Sequence, residues 1–190
     1  MLVKRWLKIR GKGNFNLIIT HEPTYVNYKW TVDQLEQILG RLTIIDTAQS
    51  RILARVDDPY EAIDIIMEFL PDDTPILRII PVDEVLEPYV EDVAEHAWDL
   101  ADEKIPVDKT YRVTVEGGHL YWRKNGQWAH TIDAIKYIAS KIDRKVDLEN
   151  YDWIVYVRVL RIRYTEYAAL TVAPAKYIFS KAKQRKRANT

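Results

Sequence analysis

From residue 15 to residue 80, strand and helix patterns alternate at short spacing, and their order constrains this chain more than any other feature. Phe15-Asn16-Leu17-Ile18-Ile19-Thr20 reads as a buried strand. Thr31 and Gln34 stand in capping-box relation before Val32, Leu35, Ile38 and Leu39, which predicts a helix ended by the left-handed stop Gly40. Two strand-like runs follow, Leu42–Thr47 and Arg51–Val56, joined by a short polar turn. Asp58-Pro59 with Glu61 opens a second helix, whose Ala62, Ile63, Ile66, Phe69 and Leu70 recur at helical spacing until Pro71. Pro75–Ile80 closes the unit as a strand. The order β-α-β-β-α-β is that of a ferredoxin-like unit.

The second half starts with a helix expected over about 85–103, with Leu86, Val90, Val93, Ala97, Leu100 and Ala101 on one stripe and Glu91, Glu95, Asp99 and Asp102 on the other. Pro88 then belongs in its first turn. Tyr111–Glu116 alternates as a strand, Gly117-Gly118 breaks it, and His119–Lys124 reads as a second strand or extended arm ending at the turn signal Asn125-Gly126. A helix over about 131–143 buries Ile132, Ile135, Ile138, Ala139 and Ile142, and Trp153–Leu160 and Tyr164–Val172 read as paired central strands. No linker rich in Gly, Pro or Ser separates the halves, so the boundary near Val82-Asp83 is expected to be a tight junction. The expected division is residues 1–82 as a ferredoxin-like domain with a basic N-terminal arm, 83–180 as a second α/β domain, and 181–190 as a basic tail; the fold class is α+β.

Composition narrows the chemistry. Cysteine is absent, which removes disulfides, thiolate metal sites and thiol nucleophiles. No apolar run approaches the ~18 residues of a membrane span, and the N-terminus lacks a signal-peptide pattern, so a cytosolic protein is expected. The net charge of +0 conceals an uneven distribution: residues 1–12 carry five cations and no acid, while residues 57–103 hold sixteen acids against Arg78 alone. The segment 104–180 is basic again, with thirteen cations to eight acids, and the tail adds five cations. A neutral total is therefore compatible with a polyanionic partner.

No catalytic motif emerges. Gly11 and Gly13 precede a strand instead of following one, His21, His96, His119 and His130 never fall at metal-ligand spacing, and the carboxylates recur at the i, i+4 intervals of a solvated helix face. No enzyme activity and no cofactor are expected. The cations give a stronger signal. In Tyr121-Trp122-Arg123-Lys124-Asn125-Gly126-Gln127-Trp128, rings alternate with positive charges beside a tight turn, a pattern suited to base stacking with phosphate contact and equally to a hairpin whose Trp packs inward. Lys136, Ser140 and Arg144 fall at i, i+4 and i+8 on what reads as one exposed face of the last helix, with Lys141 and Lys145 beside it. Arg51, Arg55 and Arg78 alternate with apolar residues and are expected to share the helix-free face of the first sheet. That is the face by which an RRM binds RNA, but NLIIT and RILARV supply none of its aromatic rings.

The order of these segments resembles the THUMP proteins of archaea and eukaryotes that serve as adaptors for tRNA cytidine acetylation. The likeness spans about 15–180. It is carried by NLIIT at 16–20, Arg78-Ile79-Ile80-Pro81-Val82-Asp83, Tyr111-Arg112-Val113-Thr114-Val115, Val146-Asp147-Leu148-Glu149-Asn150, and Ala173-Pro174-Ala175-Lys176-Tyr177-Ile178-Phe179-Ser180. The resemblance implies a ferredoxin-like domain packed on a THUMP domain, binding the tRNA acceptor end and presenting it to a partner acetyltransferase. No pattern of a methyltransferase, deaminase or pyrophosphatase module accompanies it. Where the family has a basic run after the Tyr111–Val115 strand, this chain has Glu116-Gly117-Gly118. The expected RNA contacts are Arg112, Arg123, Lys124, Lys136, Lys141, Arg144, Lys145, Lys181, Lys183, Arg185, Lys186 and Arg187. Two other readings stay open: a protein–protein scaffold using the acidic helix, and a small hydrolase, for acyl phosphates, on the ferredoxin-like unit.

Overall fold

A computed structural model describes residues 14–182. Its elements in chain order are β1 (Leu17–His21), α1 (Tyr25–Leu39), β2 (Thr43–Ala48), β3 (Arg51–Arg55), α2 (Pro59–Phe69), β4 (Ile76–Pro81), β5 (Glu84–Leu86), α3 (Val90–Lys104), β6 (Thr110–Glu116), α4 (Thr131–Ala139), β7 (Lys145–Val146), β8 (Trp153–Ile162), β9 (Thr165–Pro174), a 3-10 turn at Ala175–Tyr177, and β10 (Phe179–Ser180). The fold is α+β, as expected.

Strands β4-β1-β3-β2 form an antiparallel sheet with the ferredoxin-like order. Alternation explains its two faces. Leu17, Ile19, Ile52, Ala54 and Ile79 bury against Leu35 of α1 and Ile63 and Ile66 of α2, while Ile18, Leu53 and Ile80 point to the other side. The second sheet runs β5-β9-β8-β6-β7, with β6 parallel to both β7 and β8. Val113, Val155, Val157, Val159, Leu170 and Val172 pack under α3 and α4, and Ile154, Tyr156, Leu160 and Ile162 face the first sheet. The result is four layers, helices outside and the two helix-free sheet faces packed on each other. Each fully buried aliphatic side chain in these layers is worth about 1.5–3 kcal/mol relative to exposure.

Several boundaries correct the sequence reading. Helix α1 begins at Tyr25, capped by Thr24, whose hydroxyl accepts from the Asn27 N–H at 3.2 Å. Thr31 is buried inside the helix, and Gln34 accepts from the Thr74 hydroxyl at 2.7 Å instead of closing a capping box. Gly40 does end the helix, at φ 70°. Residues 84–86 are strand, not helix, because Val85 and Leu86 pair with Ala169 and Ala168 of β9; Pro88 therefore precedes α3. Of the two forms expected for residues 119–124, the chain takes the extended arm, in which Tyr121 makes isolated bridges with Tyr89 and Trp128. Helix α4 stops at Ala139. The chain finally returns to its first sheet, where Phe179 and Ser180 pair with Ile79 and Arg78.

The junction is tight. Asp83 donates its backbone N–H to Leu170 O at 2.9 Å, and its carboxylate accepts from Val172 N at 2.7 Å, the Tyr60 hydroxyl at 2.7 Å and Lys104 Nζ at 2.9 Å. One side chain thereby joins α2, α3 and β9. Burial first, and then the neighbouring Asp83 carboxylate, raise the Tyr60 phenol well above its ordinary value.

Candidate nucleic-acid interface

The crossover from β6 through α4 to β8 carries the residues that the sequence singles out. Its first turn is fixed by geometry: Gly117 has φ 90°, and a Cβ there would lie 2.4 Å from Val159 O. Glycine is required at that close approach. The following segment is held by backbone bonds, Tyr121 N to Pro88 O at 2.8 Å, Ala129 N to Leu120 O at 2.8 Å and Gly126 N to Trp122 O at 2.8 Å. The two tryptophans of this segment face different ways. Trp122 packs inward, edge-on to Tyr137 at 5.5 Å. Trp128 is 66% exposed and stacks on the exposed ring of His119, centroids 4.9 Å apart and planes 9° from parallel. A pre-stacked pair of rings offers an aromatic face to a base at little entropic cost.

The expected cations fall into two groups. Lys124, Lys136 and Lys145 are exposed and form no ion pair among the described residues, and exposed Lys141 lies over the Trp98 ring at 4.1 Å. The others have protein partners. Arg123 lies over Tyr89 at 4.2 Å and is gripped by Asp92, with Glu87 at 3.3 Å; the hydrogen bond to Asp92 is the main cause of its raised pKa. Arg112 donates to Leu148 O at 2.9 Å, and Lys181 Nζ to Thr74 O. Arg144 does not share an exposed helix face with Lys136. Because α4 ends five residues earlier, Arg144 turns back, with its side chain only 9% exposed, and donates to Ile105 O at 2.8 Å. Lys183, Arg185, Lys186 and Arg187 lie outside the described residues.

Arg51, Arg55 and Arg78 do lie on the helix-free face, alternating with Leu53 and Ile80, but the second sheet covers that face, so an RRM-type platform is not available. Arg78 donates to Glu116 Oε2 at 2.8 Å, as does the Tyr156 hydroxyl at 2.8 Å, and Arg158 lies 3.3 Å from the same oxygen. Burial alone would raise the Glu116 carboxyl, yet the Arg78 and Tyr156 hydrogen bonds leave it below the usual carboxylate range; burial also pushes Tyr156 up to about 12. Glu116 thus joins the two sheets. Arg51, whose pKa is lowered by burial, donates to Arg161 O at 3.0 Å. Sequence reasoning missed Glu116, Tyr156 and Arg158 as an inter-sheet group, and missed His119 as the partner of Trp128. In the first case the residues are some forty positions apart, and no local signal joins them. In the second, His119 precedes Trp128 by nine residues, and no local pattern marks the two rings as a pair.

Among the described residues no group of three or more His, Asp or Glu side chains could hold a metal, and no helix is long and apolar enough to cross a membrane. His96 pairs with Glu84.

This architecture is a THUMP-type fold. The sequence matches no protein-family model and no curated protein. Among solved structures it is similar to PH1313 from Pyrococcus horikoshii Ot3, at TM-score 0.57 and 17% identity over 84% of this chain and 55% of that one. It is also similar to a 4-thiouridine synthetase solved as an RNA complex with bound ATP, at TM-score 0.51 and 14% identity over 85% of this chain and 42% of that one. A third similar structure is TrmN from Thermus thermophilus, at 0.50 and 15%, covering 83% of this chain and 46% of that one. The chain spans about half the length of these structures, and at such identity the likeness is one of fold.

Proposed function

We propose that this protein binds RNA through the β6–α4–β8 crossover, and that it acts as a non-catalytic, cytoplasmic adaptor presenting the acceptor end of tRNA to a separate modifying enzyme, a cytidine acetyltransferase. The observation that carries the RNA reading is the exposed His119–Trp128 stack on the same crossover as Lys124, Lys136, Lys141 and Lys145. Rings bind bases through their faces and fixed ammonium groups bind the phosphates between them. The fold shared with a synthetase solved in complex with RNA supports this reading. The sequence resemblance supports the tRNA and acetyltransferase parts.

The acidic helix fits the adaptor role. Glu91 accepts from the backbone N–H of Arg123, Asp92 binds its guanidinium, and Glu95 and Asp99 remain exposed on α3 for a basic protein surface. Purification from native extract, with bound RNA sequenced and bound proteins identified, tests the whole proposal. The expected result is tRNA together with an acetyltransferase whose retention depends on RNA or on α3. Recovery of proteins without RNA, unchanged by nuclease, contradicts the RNA role.

A further inference from the structure

At the end of β1, remote in sequence from the crossover, is a cavity of about 560 Å³ lined by His21, Thr24, Tyr25, Tyr28 and the β2–β3 turn residues Gln49 and Ser50. Two of these, Thr24 at φ 132° and Ser50 at φ 60°, hold positive φ without being glycine, a strained geometry that concentrates at ligand sites. His21 is only 2% exposed. Its Nδ1 lies 2.8 Å from Glu22 O, a pure acceptor, so Nδ1 carries the hydrogen and donates. In the neutral ring Nε2 is then an acceptor, and it is buried with no hydrogen-bond partner. Folded proteins rarely leave such an atom unmatched, and the cavity is where an occupant can supply the missing N–H.

The remaining walls specify the occupant further. Tyr28 leans on His21 at 6.0 Å, and Tyr25 stacks beside Tyr28 at 6.1 Å with an interplanar angle of 25°. Tyr25 is 68% exposed, leaving its ring open to a planar ligand. Lys29 Nζ sits 5.3 Å from the Tyr25 ring centroid, placing a positive charge by the same ring. An acceptor, an open aromatic face and a cation beside it match one chemical unit. We propose that this cavity binds a nucleotide: its base lies against Tyr25 and donates a ring or exocyclic N–H to His21 Nε2, and its phosphate turns toward Lys29. The nucleotide is either free or an unpaired residue of an RNA; in the second form the proposal rests on the RNA reading above and adds a separate base site to it.

The full chain, with histidine side-chain nitrogens labelled, is titrated with AMP, CMP, UMP and a short unstructured RNA, following the His21 nitrogen and the Tyr25 and Tyr28 ring signals. Saturable shifts at these groups are expected. Tyr25→Ala should weaken binding by roughly five- to a hundredfold, the scale of one lost base stack, with Tyr25→Phe close to the parent. His21→Asn keeps a donor for Glu22 O while deleting the Nε2 acceptor, and should weaken binding as well; because Tyr25 is exposed, its variants decide the matter even where the buried substitution impairs folding. Saturation by mononucleotides identifies a free-nucleotide site, and shifts with the oligonucleotide alone identify an RNA base site. If RNA binds the parent and Tyr25→Ala equally and leaves His21 unshifted, the cavity proposal is overturned and the RNA reading stands. If mononucleotides shift His21 while no RNA binds, the cavity proposal stands and the RNA reading fails. No shift with any probe overturns the cavity proposal.

Discussion

Lys104 Nζ stands 2.9 Å from Asp83 Oδ1, so the last turn of α3 is pinned to the residue at which the chain passes from its first sheet to its second. The Lys104 side chain is 25% exposed and that of Asp83 11%. Removing either partner leaves the other charge poorly compensated in a largely dry site. Asp83→Ala, which also deprives Val172 N of its acceptor, should cost about 2–4 kcal/mol, measured by denaturant unfolding. Since the same carboxylate ties α2, α3 and β9 together, calorimetry of the parent should show one transition for both halves. Two well-separated transitions would show that the halves fold independently.

Tyr60, donating 2.7 Å to the same carboxylate, makes the junction sensitive to alkali. Its folded pKa is raised, so the stabilisation of the neutral phenol is complete below the unfolded value and is lost as pH rises past it. Above the ordinary tyrosine range of about 10, parent stability should fall with pH. In Tyr60→Phe the decline should be shallower, although its stability at neutral pH is lower. Parallel pH profiles for the two proteins would refute this assignment.

Glu116 works in the opposite direction. Its folded pKa is depressed, chiefly by hydrogen bonds from Arg78 and Tyr156 acting against burial, so its contribution is present above the ordinary carboxylate range and is lost as pH falls through the folded value. Glu116→Gln should be less stable than the parent at neutral pH, and the gap should close in acid. A gap that stays constant on acidification would mean that charge at Glu116 does not join the sheets.

Two glycines with positive φ should respond differently to alanine. At Gly117 the new Cβ meets Val159 O at 2.4 Å, whereas at Gly126 nothing lies within 4 Å. Gly126→Ala should cost only its backbone strain, about 1 kcal/mol, while Gly117→Ala should cost about 2 kcal/mol more because β6 or β8 must shift. Thermal unfolding of the two variants compares them directly.

The ferredoxin-like order was legible because apolar runs, Asp58-Pro59 and Gly40 each act locally, and the structure keeps all three features. The start of α1 was not: its first turn exposes Tyr25 and Val26, which resemble no buried helical stripe, so the pattern became visible only after Thr31. Leu86 fitted the helical stripe of α3 by spacing alone, and only pairing with Ala168, far along the chain, makes it strand. Cations were easy to find, but their availability was not. Arg123 and Lys136 look equally free in a sequence, and what separates them is Asp92, thirty-one residues before Arg123, together with the outward position of Lys136 on α4.

Salt dependence of RNA binding shows whether the lysines of the β6–α4–β8 crossover contact phosphate. Fixed cations that neutralise phosphates release counterions, so log affinity should fall linearly with log salt, by about 0.7–0.9 for each phosphate contacted. Replacing Lys124, Lys136 and Lys145 together by Ala should weaken binding of tRNA and flatten that slope by about two to three units. Trp128→Ala should weaken binding without changing the slope, because a ring releases no counterions. Replacing exposed Glu95 and Asp99 should leave the slope as it is. RNA binding through the crossover requires a flattened slope in the lysine triple variant. The parent's affinity and slope in that variant would remove the crossover as the RNA surface.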